Sequence, residues 1–394
     1  MSRPTAANTS SAPRERVGLW EIAVVFLKLG TVAFGGPAAH IALMEEEFVT
    51  RRGWLTRQEF LDRLGAANLI PGPSSTEMAI FIGQSKAGWP GLIVGGCCFI
   101  IPAAILVAAI AAAYVRYGVL PQVGGMLYAV KAVVIAIVAQ AFWKLAQSAV
   151  KNSFLALLGT ISAILALLSV NNLVILATAG LLAALPHLRP KTGAASMRSV
   201  LAPLLPAGPL ASLFAAGVAP ASFSLFRLFL VFLKTGAVLF GSGYVLLAFL
   251  RADFVVRLGW LSEKQLLDAV AVGQVTPGPV FTTATFIGYL LAGIPGAVAA
   301  TVAIFLPGFL LVAASGPLIP RLRRSPVVGA ALDGVVVGSL ALMGVVTWQL
   351  GKAALVDWTT AVIAVASLVL LFRFRVNAVW LIVGAALIGL IRGQ

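Results

Sequence analysis

The chain has 394 residues, 60% of them hydrophobic and 10% charged, and 28 Lys and Arg against 13 Asp and Glu give a net charge of +15. Soluble domains carry about 25% charged residues, so a cytosolic enzyme, a secreted disulfide scaffold and a disordered chain are excluded. The apolar stretches allow on the order of ten to thirteen membrane segments of about 20 residues each. Residues 1–17, polar and bearing Arg3, Arg14 and Arg16, lack the apolar core of a signal peptide and read as a disordered cytoplasmic tail. Apolar segments follow at roughly 19–35, 62–85, 89–114, 122–146, 153–170 and 172–187. A connector, 189–223, contains an apolar stretch with Pro203, Pro206 and Pro209. A second series then runs at roughly 225–242, 266–290, 293–316, 327–350, 357–372 and 377–391. Helical lengths without strand-like alternation predict an all-α polytopic membrane protein and exclude a β-barrel.

The two series are copies. An offset of 206 maps Phe26-Leu27-Lys28-Leu29-Gly30 onto Phe232-Leu233-Lys234-Thr235-Gly236, Gly53-Trp54-Leu55 onto Gly259-Trp260-Leu261, and Pro71-Gly72-Pro73 onto Pro277-Gly278-Pro279. After one deletion an offset of 205 maps Phe81-Ile82-Gly83 onto Phe286-Ile287-Gly288 and Pro102 onto Pro307. The chain therefore divides into a tail (1–17), a first repeat (18–188), the connector (189–223) and a second repeat (224–394). Basic loop residues fall after the fourth and sixth segments of the first repeat (Lys144, Lys151; Arg189, Lys191, Arg198). In the second they fall after the third and fifth (Arg321, Arg323, Arg324; Arg373, Arg375). Opposite parity under the positive-inside rule predicts inverted repeats, a common plan for secondary transporters. The odd crossing that inversion needs is either the connector or a re-entrant segment in each half.

The second segment of each repeat is interrupted by Pro-Gly-Pro, which removes two amide donors and frees the backbone between them. Unwound backbone at membrane depth survives only where protein or a water cavity satisfies it. The half-helix that restarts presents free N–H groups and a positive dipole end, a site for an anion. Candidate binding residues are Asn68, Pro71, Gly72, Pro73, Ser74, Ser75 and Thr76 in the first repeat, and Gln274, Pro277, Gly278, Pro279, Thr282 and Thr283 in the second. Lys28 and Lys234 lie inside apolar segments at equivalent positions, either snorkelling to the interface or serving a dianion. Gly35-Gly36 and Gly241-Ser242 end those segments with close-approach backbone or tight packing. Glu77, whose counterpart is Thr283, is a proton-coupling candidate or a partner for Lys28 or Lys131. His40 and Glu45-Glu46-Glu47 read as a solvated amphipathic stretch, while Asp62 and Asp268 are placed to cap or pair with Arg63 or Lys264. Cys97 and Cys98, adjacent and without a CxxC or His cluster, point to packing, so neither a metal nor a cofactor is expected. The basic residues form no patch for nucleic acid.

With these motifs the chain resembles the chromate ion transporter (CHR) family in its long, two-domain form. The resemblance rests on Phe26-Leu27-Lys28-Leu29-Gly30, Phe34-Gly35-Gly36-Pro37, Gly53-Trp54-Leu55 and Pro71-Gly72-Pro73 with their second copies, and it covers almost the whole chain. It implies two halves of opposite orientation in the bacterial cytoplasmic membrane. It also implies export of chromate driven by the proton motive force, conferring chromate resistance. The second repeat has Gly241-Ser242-Gly243 where the first has Gly35-Gly36-Pro37, which weakens strict symmetry. The residues alone support a tetrahedral oxyanion, and such a site separates chromate from sulfate weakly. The expected partners are that oxyanion and the lipid bilayer, with a homodimer left open. Competing readings are a membrane enzyme acting on a lipid phosphate, which lacks an intramembrane Arg cluster here, and a passive anion channel. No flavin, haem or nicotinamide fingerprint suggests a reductase.

Overall fold

The computed structural model describes residues 17–34, 36–118, 120–187, 222–240, 243–315, 325–374 and 376–392. The tail up to residue 16, most of the connector, and Arg189, Lys191, Arg198, Arg321, Arg323, Arg324 and Arg375, on which much of the orientation reading rests, lie outside them.

The described residues are helical, with no strand among them. The first repeat contains α1 (Leu19–Val32), α2 (Pro37–Glu45), a π-helical turn (Glu46–Arg51), α3 (Arg57–Ala67), α4 (Ser74–Tyr117), α5 (Pro121–Ala149), α6 (Ser153–Leu167) and α7 (Asn172–Ala184). The second runs α8 (Leu225–Val238), α9 (Leu246–Leu250), a π-helical turn (Arg251–Arg257), α10 (Glu263–Val275), α11 (Thr283–Ser315), α12 (Pro326–Ala354), α13 (Trp358–Arg373) and α14 (Ala378–Arg392). Each helix thus has its counterpart seven places on. Among the described residues, four stretches are long and apolar enough to cross a membrane: Ser74–Tyr117, Val123–Ala149, Val280–Ser315 and Pro326–Ala354. α1, α6, α7, α8, α13 and α14 have 13 to 16 residues, short of the about 20 a straight crossing needs. The expected segments therefore resolve into four full-length spans and shorter apolar helices.

Local chemistry sets the boundaries. Thr56 and Glu59 form a capping box at the start of α3, and Ser262 and Gln265 do so at the equivalent start of α10. Asn152 caps α6, Asn171 caps α7 and Asp357 caps α13. α4 and α11 each bend sharply at an Ala-Gly pair, Ala87-Gly88 and Ala292-Gly293, with the glycines at φ 62° and 60°. The two arms of each bend touch backbone to backbone. A Cβ on Gly83 would strike the Gly91 carbonyl, and one on Gly288 would strike that of Gly296.

The repeated aromatic residues build the same cluster twice. Phe26 and Phe48 are 5.2 Å apart, as are Phe48 and Trp54. Phe232 and Phe254 are 4.8 Å apart, with Trp260 6.1 Å beyond. α1 lies on α4 where Gly30 meets the backbone of Phe99, and α8 lies on α11 where Gly236 meets Ile304. α4 and α11 pack on each other at the centre, with Gly96 against the Phe309 ring.

Around this centre the halves exchange partners. α5 packs on α13 and α14 of the other repeat, and α12 packs on α6 and α7. Gly389 sits on the backbone of Gly125, and Gly334 on that of Ala179, so small residues let the backbones approach closely. Gln140 adds a bond from its Nε2 to the Leu371 carbonyl at 2.9 Å.

The bends supply a direct test. Gly83→Val drives a side chain into the Gly91 backbone and should cost about 1–3 kcal/mol or more, lowering the unfolding temperature in detergent. Gly124→Ala, where nothing lies within 4 Å of a new Cβ, should be neutral or stabilise by about 0.4–1 kcal/mol.

Candidate functional site

The Pro-Gly-Pro breaks separate α3 from α4 and α10 from α11. Gly72 and Gly278 take φ values of 133° and 86°, a region that favours glycine. Each glycine N–H reaches into the other half. Gly72 donates to the Leu239 carbonyl at 2.8 Å, and Gly278 to the Ala33 carbonyl at 2.9 Å. Ala33 and Leu239 immediately follow α1 and α8, where helices leave carbonyls without intrahelical donors. The two breaks therefore cross at the interface between the repeats.

Most of the expected binding residues gather there. Pro71, Gly72, Pro73, Ser75 and Thr76 are buried, as are Gln274, Pro277, Gly278, Pro279, Thr282 and Thr283; Ser74 is half-buried. Asn68 is exposed at the end of α3. Gly36, with φ 79°, lies beside the hydroxyl of Tyr244. Gly35, Gly241 and Ser242 lie outside the described residues.

The two sides differ in how their polar groups are used. Thr282 and Thr283 turn their hydroxyls back onto the Pro279 and Val280 carbonyls, each at 2.8 Å. On the first side the Thr76 hydroxyl and Glu77 Oε2 are buried with no hydrogen-bond partner; Gln274 Nε2 is in the same condition. Glu77 is 1% exposed. Its carboxyl group fills the space beside Gly72 and faces Gly308 of α11, where a Cβ would stand 3.0 Å from Oε1. Neither lysine considered as its partner takes that role. Lys131 forms an ion pair instead with Asp268 Oδ1 at 3.1 Å, and Asp268 Oδ2 accepts from the Tyr114 hydroxyl at 2.9 Å. Asp268 is fully buried, whereas its repeat counterpart Asp62 is on the exposed face of α3.

Lys28 and Lys234 stand among charges. Lys234 pairs with Asp253 at 2.5 Å, and Arg257 joins the same carboxylate at 3.0 Å. The equivalent acid, Glu47, pairs with Arg52 at 2.6 Å and Arg51 at 3.4 Å, and Arg52 extends to Glu21 at 2.7 Å. Lys28 is exposed and close enough to Glu47 to act on its charge. The hydrogen bond from Arg52 holds the Glu47 carboxyl below the usual range. The repeat register already pairs these acids, because the offset of 206 that aligns Phe48 with Phe254 places Glu47 on Asp253.

His40 is the residue that sequence patterning missed. The expected solvated stretch is instead α2 and its π turn, and His40 is 1% exposed. It approaches Ser75 Oγ at 3.2 Å through Nδ1 and the Ala33 carbonyl at 2.9 Å through Nε2. Burial brings its imidazole down to about 4 from 6.5. Its counterpart is Leu246, so the repeat carried no signal for it. Among the described residues, no cluster of three His, Cys, Asp or Glu side chains is placed to hold a metal ion.

A duplicated all-α membrane chain whose two broken helices cross at its centre has the architecture of a transporter. The family model described as chromate transporter matches residues 20–184 and 226–390, and this chain belongs to that family, whose members are transporters and not enzymes. Among its relatives is the chromate transport protein of Cupriavidus metallidurans, 33% identical over 99% of this chain and 98% of its own length. A probable chromate transport protein of Synechococcus elongatus is 33% identical over 89% of each chain. The chromate transport protein of Pseudomonas aeruginosa is 30% identical over 89% of this chain and 85% of its own length. No solved structure matches.

The lowered His40 value has a thermodynamic consequence. Between about pH 6.5 and 4 the unfolded chain binds a proton at this residue that the folded chain does not, so stability is full above the window and falls as pH drops through it. The unfolding temperature of wild type should therefore drop further than that of His40→Gln between about pH 7.5 and about pH 5; parallel curves would contradict this.

Proposed function

We propose that this chain is a secondary active transporter that exports chromate from the bacterial cytoplasm by alternating access between its two repeats, driven by the proton motive force. The observation that carries the reading is the crossing of the two breaks. It puts the restarting helix of the first repeat, with buried Thr76 and Glu77, against the second repeat. A tetrahedral dianion would meet the first amides of α4, at Ser74 and Ser75, together with the Thr76 hydroxyl and the Gln274 amide. Helix N-termini favour such charge.

The Gly72 and Gly278 amides are not part of that set, because each already bonds across the interface. Lys28 and Lys234 contribute through their clusters. Each cluster keeps an excess of positive charge despite Glu47 and Asp253, and would draw the anion toward the breaks. Glu77 is the proton carrier in this reading. It is a buried carboxyl group with one oxygen lacking a partner, at the seam that opens when the repeats move. The names of the relatives from Cupriavidus metallidurans and Pseudomonas aeruginosa support chromate as the anion. The tail (1–17), the 18–188 and 224–394 repeats and the 189–223 connector are the proposed division of the chain.

Everted membrane vesicles give the test. Wild type should accumulate labelled chromate when a proton gradient is imposed, with excess sulfate competing. Glu77→Gln should lower gradient-driven uptake on the order of 10²-fold, while Thr282→Val, which removes a hydroxyl already bonded to Pro279, should stay near wild type. Absence of gradient-dependent chromate uptake by wild type would overturn the reading.

A further inference from the structure

The hydrogen bonds around His40 run from one break to the other. Nε2 lies 2.9 Å from the Ala33 carbonyl oxygen, and a carbonyl only accepts, so the ring hydrogen sits on Nε2. The neutral ring then accepts at Nδ1, where the Ser75 hydroxyl donates at 3.2 Å. The Ala33 carbonyl also receives the Gly278 N–H at 2.9 Å, which its two lone pairs allow. A continuous path thus joins Ser75, just beyond the first break, through His40 and Ala33 to Gly278 at the centre of the second. Phe99 meets the ring edge-on at a centroid distance of 5.8 Å, fixing its plane. Both ring nitrogens are occupied, so the ring has no remaining hydrogen-bonding group to offer an anion.

Among the described residues the other side shows no such bracket. The offset of 206 puts Leu246 at the position of His40 and Phe281 at that of Ser75, and neither side chain can hydrogen-bond. The mirror-image crossover, from Gly72 to the Leu239 carbonyl, lacks this side-chain support.

We infer that His40 is a positioning residue for transport, holding the start of α4 at a fixed distance from the second break and so setting where Thr76 and Glu77 stand relative to the second repeat. This rests on the proposed site. Its physical content is a spacing: a small displacement of a binding group costs far more than the lost bond itself.

The test compares His40→Leu, which installs the residue found in the second repeat, with His40→Gln, Ser75→Ala and the His40→Leu/Ser75→Ala pair. In vesicles, His40→Leu should raise the half-saturating chromate concentration about tenfold, with a smaller change in maximal rate. Gln can still donate to Ala33, so His40→Gln should recover most of that loss. The double variant should be no worse than His40→Leu alone, since both changes break one path.

Hydrogen exchange on the detergent-solubilised full chain needs no substrate. The peptide containing Gly278 should exchange at least about fivefold faster in His40→Leu than in wild type. If that variant fails to insert, His40→Gln and Ser75→Ala carry the comparison. Wild-type kinetics together with unchanged exchange, or additive losses in the double variant, would overturn the inference. Faster exchange at Gly278 in His40→Leu, alongside a wild type that moves no chromate, would remove the proposed function and leave the tie standing. Intact chromate transport with unchanged exchange would do the reverse.

Discussion

The structure depends on one exchange of hydrogen bonds. A Pro-Gly-Pro run inside a membrane leaves a glycine N–H that water cannot reach, and a buried orphan donor is costly. A helix that stops nearby leaves orphan carbonyls. Here each half supplies the acceptor that the other half's break requires, Leu239 for Gly72 and Ala33 for Gly278. Neither half satisfies its own break in this way. α1 and α8 end where they do, and the glycines hold their left-handed turns, because these four groups meet. The proposed anion site takes its position from that meeting, since the helices that restart beyond the breaks begin at the seam.

Duplication produced the crossing, and divergence at a few positions gave its two sides different work. His40 faces Leu246 in the alignment of the halves, and Glu77 faces Thr283. Asp268 is buried against Lys131 and Tyr114, whereas Asp62 lies on an exposed face. The second break is therefore held upstream by an ion pair and at its glycine by the Ala33 carbonyl that His40 braces. The first break carries the unpartnered Thr76 hydroxyl and Glu77 oxygen, and the unpartnered Gln274 amide stands just before the second. A satisfied polar cluster rigidifies its surroundings, while an unsatisfied one is a place where a ligand or proton gains more than it would in water. In the proposed site the unpartnered Thr76, Glu77 and Gln274 groups are those left for a ligand or proton, within one pseudo-symmetric frame.

The parts of this arrangement that the sequence revealed are those that leave a periodic trace. Helix lengths, the register of the repeats and the positions of the breaks follow from apolar runs and from Phe, Gly, Trp and Pro recurring at a constant offset. The short helices before each break were hidden. α2 and α9 are brief, and the charges of the π turns after them, such as Glu46, Glu47 and Arg51, read as a solvated stretch. Thr56 and Ser262 do announce α3 and α10 through capping boxes, and the pairing of Glu47 with Asp253 was present in the register. The crossover between halves was not legible, because a backbone hydrogen bond between Gly72 and Leu239 imposes no side-chain identity on either partner. His40 was illegible for the opposite reason. It is specific to one half, and its burial comes from Phe99 and Ala33, distant in the chain or hidden in backbone. The exchange of helices between α5 and α12 was equally silent, since glycine and alanine at an interface look like glycine and alanine anywhere.

That exchange of helices has a consequence for how the protein is made. α5 emerges from the ribosome and enters the membrane before the helices it packs on, α13 and α14, exist. Until residues 358–392 arrive, the Gly125 backbone that receives Gly389 lacks that packing partner. α6 and α7 wait in the same way for α12. Insertion and folding are therefore separated in time. The first half can be threaded into the bilayer early, but its packing is completed only by segments translated last. A ribosome that stalls in the second repeat leaves a membrane-embedded intermediate with open glycine-lined surfaces, the form that membrane quality control would meet.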